Sequence, residues 1–471
     1  MSTDRLWRTL AVLLPTLAAV LAPLSTVDLA YHLRAGAEIV ATGAIPSVDS
    51  WTFTAAGTAW VDQQWGAQLV LHVVHQVGGW TGLVLLRAVA TGVVVACLLR
   101  VALDGGLGSR TATLLVLAAF LVAAPAMALR PQLLGMAAFA IVVLLVAQRR
   151  DRPRALWLIP LIVVVWANLH GSFFLAPVVL GLAWLQDVRD RVPAARLTLA
   201  VAAVAAVAAC VTPFGPGVWP YAVGLSLDPA VTGRISEWQP TSVRRPAGLV
   251  LFASFAAVVT LVARRGAVVG WPTLAWLATF AGMAVYAERG VAWWAIAAVP
   301  PVAALLADGT PRSAAVRTDP PAMRRLNAGL VGVLVLVGVA LLPAWRPIDG
   351  GTGVPVAVLT DAPSGVTGYL RSNATADDRI LNHQAWGSWL EFAVPQASVA
   401  VDSRIELYPA DTWTRYERVL AGVDGWQAQV ADWGVTLVVL EADQRATAGR
   451  FEDAGWRVLH RGADGTVLGR P

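Results

Sequence analysis

Asp28 and His32 stand four residues apart, just beyond an apolar run that begins near Leu6. On a helix that spacing puts a carboxylate and an imidazole on one face. At the outer mouth of a helix bundle such a carboxylate can take the proton of an acceptor hydroxyl, with a pKa adjusted by partial burial. His32 would orient it or share its proton. The plain alternative is that Asp28 caps a helix and His32 lies in the membrane interface. Asp49 and Asp62 are further carboxylates of the same stretch, each also readable as a turn or cap residue.

A second group of residues suits anions and sugars. Arg130 falls in the tight connection Leu129-Arg130-Pro131-Gln132, and Arg289 in Glu288-Arg289-Gly290. A guanidinium fork at an interface pairs with phosphate, whether of a ligand or of a lipid headgroup. Glu237-Trp238 joins a carboxylate to an aromatic platform, as sugar sites often do, although an interfacial loop looks the same. His170 is a polar break between apolar runs, and Arg87, inside one, reads as a snorkelling side chain. In the tail, Asp402-Ser403-Arg404-Ile405-Glu406 closes an expected strand, where ligands of α/β sheets gather and where an ion-paired loop is the alternative.

These residues have to be positioned by a membrane framework. Only 14% of the 471 residues are charged and 57% are hydrophobic. The apolar residues come in blocks near the length of a bilayer-spanning helix. Eleven spans are expected, at 6–24, 81–101, 111–129, 131–148, 155–169, 172–187, 197–212, 248–263, 269–286, 291–307 and 327–345. All 35 basic residues are Arg, which points to a GC-rich coding bias. With the N-terminus inside, 17 of them, including Arg5, Arg8, Arg312 and Arg317, fall in inner segments and six in short outer loops. That asymmetry selects N-in and C-out. The arrangement expected is an all-α polytopic bundle of a bacterial cytoplasmic membrane over 1–345, with a C-terminal extracytoplasmic α/β domain over 346–471. Nucleic acid is not an expected partner, because the basic residues sit between spans. Cys97 and Cys210 lie in apolar blocks, so no disulfide framework is expected.

The large outer loop, 25–80, reads as two interfacial helices. The first covers Asp28 to Thr42, with Gly43 as its C-cap. Trp51-Thr52-Phe53-Thr54 alternates like a short strand. Asp62 then suits the cap of a second helix through Val77, closed by Gly78-Gly79. In the tail, strands are expected at 379–382, 398–402, 436–440 and 457–460, with helices at 385–393, 411–433 and 446–453. Such alternation suits a partly parallel sheet.

There is no P-loop, Rossmann fingerprint, Cys/His metal spacing or nucleophile elbow. Yet the run from Asp28-Leu-Ala-Tyr-His-Leu-Arg-Ala-Gly36 through Gly43-Ala-Ile-Pro46, Asp49-Ser-Trp-Thr-Phe-Thr54, Trp60, Trp65 and Gly78-Gly79 resembles the first outer loop of GT-C superfamily glycosyltransferases. It looks most like the bacterial mannosyltransferase-like and lipopolysaccharide-sugar-transferase-like branch. The likeness covers roughly residues 1–100, and the tail around Trp386-Gly387, Asp402-Ser-Arg404 and Tyr408 is also similar to tails in this group. The resemblance implies a catalytic carboxylate near the end of the first span, hence Asp28, and polyprenyl-phosphate sugar donors. Many relatives carry two adjacent acids there, whereas Leu29 follows Asp28 here.

The reading is therefore a membrane glycosyltransferase, needing no cofactor and no metal, that moves a sugar from a polyprenyl-phosphate donor to a hydroxyl of a glycan, lipid or protein. Arg130 or Arg289 would hold the donor phosphate. The competing class is a transporter or envelope-assembly partner, which would draw its polar residues together at mid-membrane.

Overall fold

The structure is a computed structural model that describes residues 1–265, 269–307 and 319–471. Arg312 and Arg317 of the inner count lie outside the described residues. The protein is a helical membrane protein with a small sheet. Among the described residues six helices are long and apolar enough to cross a bilayer: Trp65–Asp104, Ser109–Ala126, Gly171–Arg189, Pro246–Arg264, Glu288–Ala307 and Pro321–Ala340.

The expected eleven spans are thus not found at full length. Pro131–Ala147, Pro153–Leu169 and Ala195–Ala208 are apolar but shorter. The first of these begins at Pro131, where the expected span begins, and is short as the apolar block itself is. In the second, Pro153 opens a 3-10 turn that takes the place of the first turns of the helix Leu158–Leu169. The first helix, Thr3–Leu21, has the length but holds Asp4, Arg5 and Arg8 in its opening turns.

The chain divides into two compact units, Met1–Ala22 with Val84–Leu342, and Pro23–Leu83 with Pro343–Pro471. The first loop therefore belongs to the same unit as the tail, whereas the sequence grouped it with the membrane helices.

The first unit is the helix bundle. At one end Met1, Thr3 and Arg8 bond Arg324, Asp319 and Ser109, while Gln148 bonds Asp104 and Arg149 bonds Asp187. At the other end Arg130 meets Glu237, and Asn168 donates to the Val211 carbonyl. The helix Pro131–Ala147 runs from one end to the other. Inside, Phe139 packs edge-on against Trp293 at 5.5 Å and beside Phe280 at 5.7 Å. The outward side chains remain apolar, with Leu121, Leu161 and Leu336 each about two-thirds exposed. A surface of that kind suits lipid rather than water.

In the second unit the helix Leu29–Thr42 ends at Gly43, whose φ of 70° is the left-handed conformation that glycine adopts without strain. The helix Trp65–Asp104 is broken at Gly79, with φ 56° and ψ −152°, where the sequence ends the second interfacial helix. Ahead of that break Ala67, Gln68, Leu71 and His72 turn inward, while Val70, Val73 and Val77 stay exposed. These three valines form an outward apolar stripe.

The tail forms a five-stranded sheet from β1 (Arg379–Asn382), β2 (Ser398–Val399), β3 (Leu437–Glu441), β4 (Arg457–Arg461) and β5 (Gly465–Gly469), in the order β2-β1-β3-β5-β4. β1 pairs in parallel with β2 and β3, and β5 pairs antiparallel with β3 and β4. The expected strand at 398–402 is cut to two residues, and β5 is an addition. The single long helix expected over 411–433 is two, Ala410–Ala421 and Trp426–Asp432, parted at Gly422 with φ 67°. In place of a strand of its own, the first loop bridges Thr52 to Val399, and the Phe53 amide donates to the Val399 carbonyl at 3.0 Å.

Candidate functional site

The residues singled out in the sequence fall in both units. Asp28, His32, Asp49 and Asp62 lie in the second; Arg130, Glu237 and Arg289 lie in the first.

Asp28 occupies the N-cap position of the helix Leu29–Thr42, with φ −103° and ψ −38°, and its carboxylate makes no capping hydrogen bond. The capping alternative is thereby ruled out in its usual form, in which the side chain accepts from an N–H of the first turn. The side chain is half-buried, and His32, one turn later, is buried. Tyr31 stands between them in sequence. Its phenol is pushed up first by burial and then by the charges of Asp28, Glu406 and Asp62. One tyrosine therefore senses three carboxylates, one from each end of the loop and one from the tail.

The helix that follows starts at Trp65, so Asp62 stands three residues ahead of it. Gln68 Nε2 donates to its Oδ1 at 2.6 Å, while Oδ2 has no hydrogen-bond partner among the described residues. Burial pushes its pKa up to about 7, against the pull of Gln68 and Arg404 in the other direction. Near neutral pH this carboxyl thus exchanges its proton readily, which is the property wanted of an acid or base.

Asp49 has a structural job. It accepts from the Thr52 amide at 3.1 Å and the Thr52 hydroxyl at 2.6 Å, which is the expected turn. Its Oδ1 also takes a bond of 2.8 Å from Arg404 Nη2. The Arg404 side chain is 0% exposed and pairs with Asp402 as well, through Nε at 2.8 Å and Nη2 at 2.5 Å. Its guanidinium carbon lies 4.3 Å from the ring centre of Trp51 and 4.6 Å from that of Trp60. Buried Glu391 comes within 3.6 Å of the same nitrogen. Burial, and then the neighbouring Asp402 charge, push Glu391 well above the usual carboxylate range. Burial opposes ionisation of Asp402 too, but Arg404 outweighs it and holds Asp402 below that range. Three buried acids and an aromatic-flanked Arg make a closed core. The ion-paired alternative for the 402–406 segment is therefore the one that holds for Asp402 and Arg404, while Glu406 stays exposed.

In the bundle unit the two arginines meet at one carboxylate. Arg130 Nη2 donates to Glu237 Oε1 at 2.5 Å, and Arg289 Nε to Oε2 at 3.4 Å. Arg289 lies over the Trp238 ring at 4.9 Å, and Arg245 pairs with Glu288 at 2.7 Å. The Trp238 face read as a sugar platform is the face on which Arg289 stacks. Arg130, Glu237, Glu288 and Arg289 line one cleft with Gln132.

Other candidates are spent locally. His170 Nδ1 accepts from the Ser172 amide at 3.1 Å and so caps the turn Gly171–Phe174. Arg87 donates to the Ala22 carbonyl, at the end of the first helix, rather than reaching for water. Sequence reasoning missed Tyr31, Gln68, Gln132 and Glu391. A polar residue on an apolar helix stripe was the available signal for Gln68 and Glu391. Among the described residues no group of three or more His, Cys, Asp or Glu is placed to hold a metal ion.

Comparison with models of known protein families finds no match, and comparison with curated proteins finds none either.

Proposed function

We propose that this chain is a membrane glycosyltransferase that moves a sugar from a polyprenyl-phosphate donor to an acceptor hydroxyl on the outer face of the cytoplasmic membrane. The observation that carries the reading is the state of Asp28. Its carboxylate begins a helix without capping it, and stands in the electrostatic company of Tyr31, Asp62 and Glu406. In the reaction Asp28 takes the proton of the acceptor hydroxyl. The oxygen bonds to the anomeric carbon, the bond from that carbon to the phosphate oxygen breaks, and polyprenyl phosphate leaves with the electron pair. Arg130 and Arg289 answer the charge of the phosphate, a preorganised electrostatic role. The two roles belong to different compact units.

The distribution of charge in the bundle favours a transferase over a transporter. The ion pairs of Arg130, Arg149, Arg245 and Arg289 stand at helix ends and in connecting turns, not midway along the helices. The arginine asymmetry assigns the end with the N-terminus to the cytoplasm. The helix Pro321–Ala340 starts at that end, which supports an extracytoplasmic tail. The test is transfer of labelled sugar by the purified protein in liposomes, from a panel of polyprenyl-phosphate hexoses and pentoses. Release of polyprenyl phosphate with glycosylated acceptor supports the reading; no turnover with any donor and acceptor pair counts against it.

A further inference from the structure

The arginine cleft of the bundle unit holds a charge that a donor would have to replace. Glu237 puts one negative charge and two oxygens between Arg130 and Arg289, at 2.5 and 3.4 Å. A phosphodiester presents the same thing, one charge shared over two non-bridging oxygens. The cleft also contains an unused donor. Gln132 is only 4% exposed and lines the cleft, and its Nε2 has no hydrogen-bond partner among the described residues. A buried amide N–H2 left without an acceptor is unfavourable, and a third oxygen-bearing group in the cleft would relieve it. Stacking on Trp238 fixes the plane of the Arg289 fork, so the guanidinium keeps its orientation when its carboxylate partner leaves. The Glu237 side chain is 30% exposed, so it can turn out to water readily.

We propose that Glu237 is a resident stand-in for a phosphodiester, and that a ligand of this class binds by taking its place on Arg130 and Arg289 and giving Gln132 its missing acceptor. The inference rests on the phosphate role given to the two arginines above. It adds an exchange that keeps a carboxylate between the two arginines while the cleft is vacant. A polyprenyl-phosphate sugar and a phospholipid headgroup share this chemistry.

The experiment measures binding of farnesyl methyl phosphate to the full chain in phosphatidylcholine nanodiscs. Wild type is compared with Glu237→Gln, Glu237→Asp, Gln132→Leu and Arg130→Lys. Without its competing carboxylate, Glu237→Gln binds the probe more tightly, on the order of tenfold. Glu237→Asp, with a shorter reach, falls between. Gln132→Leu and Arg130→Lys bind more weakly than wild type. The melting temperature of each variant without probe reports whether the fold is kept. Weaker or unchanged binding by a folded Glu237→Gln overturns the exchange, because Glu237 then organises the arginines instead of competing for them. Absence of binding by every variant overturns both the exchange and the phosphate role. Displacement of the probe by phosphatidylglycerol at equal concentration assigns the cleft to a headgroup, leaving the exchange standing and removing the donor.

Discussion

Arg404 of the tail donates to Asp49 of the first loop at 2.8 Å, across a sequence separation of 355 residues, with both side chains shielded from water. Their contact makes one unit of two segments that the membrane helices separate in the chain. Arg404→Met should unfold that unit selectively, because Asp49 and Asp402 are then buried without a counter-charge. The expected loss is about 3–5 kcal/mol, against at most about 1 kcal/mol for Arg245→Ala, whose pair is half-exposed. Limited proteolysis of the tail and thermal melting report the difference, and equal losses would show that the Arg404 core contributes no more than a surface pair.

Asp62 predicts a pH dependence of stability. Its folded pKa, about 7, stands above the ordinary value of 3.8, so between those values the folded state binds more protons than the unfolded one. Stability contributed by this group is complete at low pH, falls as pH rises through that window and levels off above it. Glu391 acts in the same direction and Asp402 in the opposite one, so the comparison must be made against Asp62→Asn. That variant should show a shallower decline in melting temperature from pH 4 to pH 7 than wild type. Parallel curves would mean that Asp62 titrates normally.

Gly36 marks the closest approach of the two first-loop helices. A Cβ there would lie 2.3 Å from the Gln68 carbonyl oxygen and 2.6 Å from His72 Cβ. Gly36→Ala must push the helices apart and should destabilise the unit by roughly 1–3 kcal/mol. An unchanged melting temperature would place the helices further apart than described here.

Much of this architecture is legible in the residues. Gly43 and the Gly78-Gly79 pair announce the ends of the two loop helices because glycine alone takes positive φ without strain. The strands β1, β3 and β4 stand out as apolar or β-branched runs between polar turns. β5 does not, since Gly465–Gly469 has a glycine at each end and no room for alternation. The number of full spans is less legible, because hydropathy counts apolar residues without asking whether Pro153 lets a full helix form or whether a block such as 131–148 is long enough to cross. Asp402 and Arg404 were visible as charges, but their burial depends on Asp49, Trp51 and Trp60 arriving from the first loop. The joint hold of Arg130 and Arg289 on Glu237 was equally hidden, because each came from a separate turn.

The central claim is that Asp28 is the general base of a sugar transfer. Its most direct test is turnover and donor affinity of Asp28→Asn beside wild type, both measured on purified protein in liposomes. Asparagine keeps the shape and removes the proton acceptor. Turnover should fall by roughly 10² to 10⁴, the usual contribution of general-base catalysis, while donor affinity stays within about twofold because phosphate is held by arginine. Transfer by Asp28→Asn at the wild-type rate would contradict the account, and the base would then have to be sought first at Asp62.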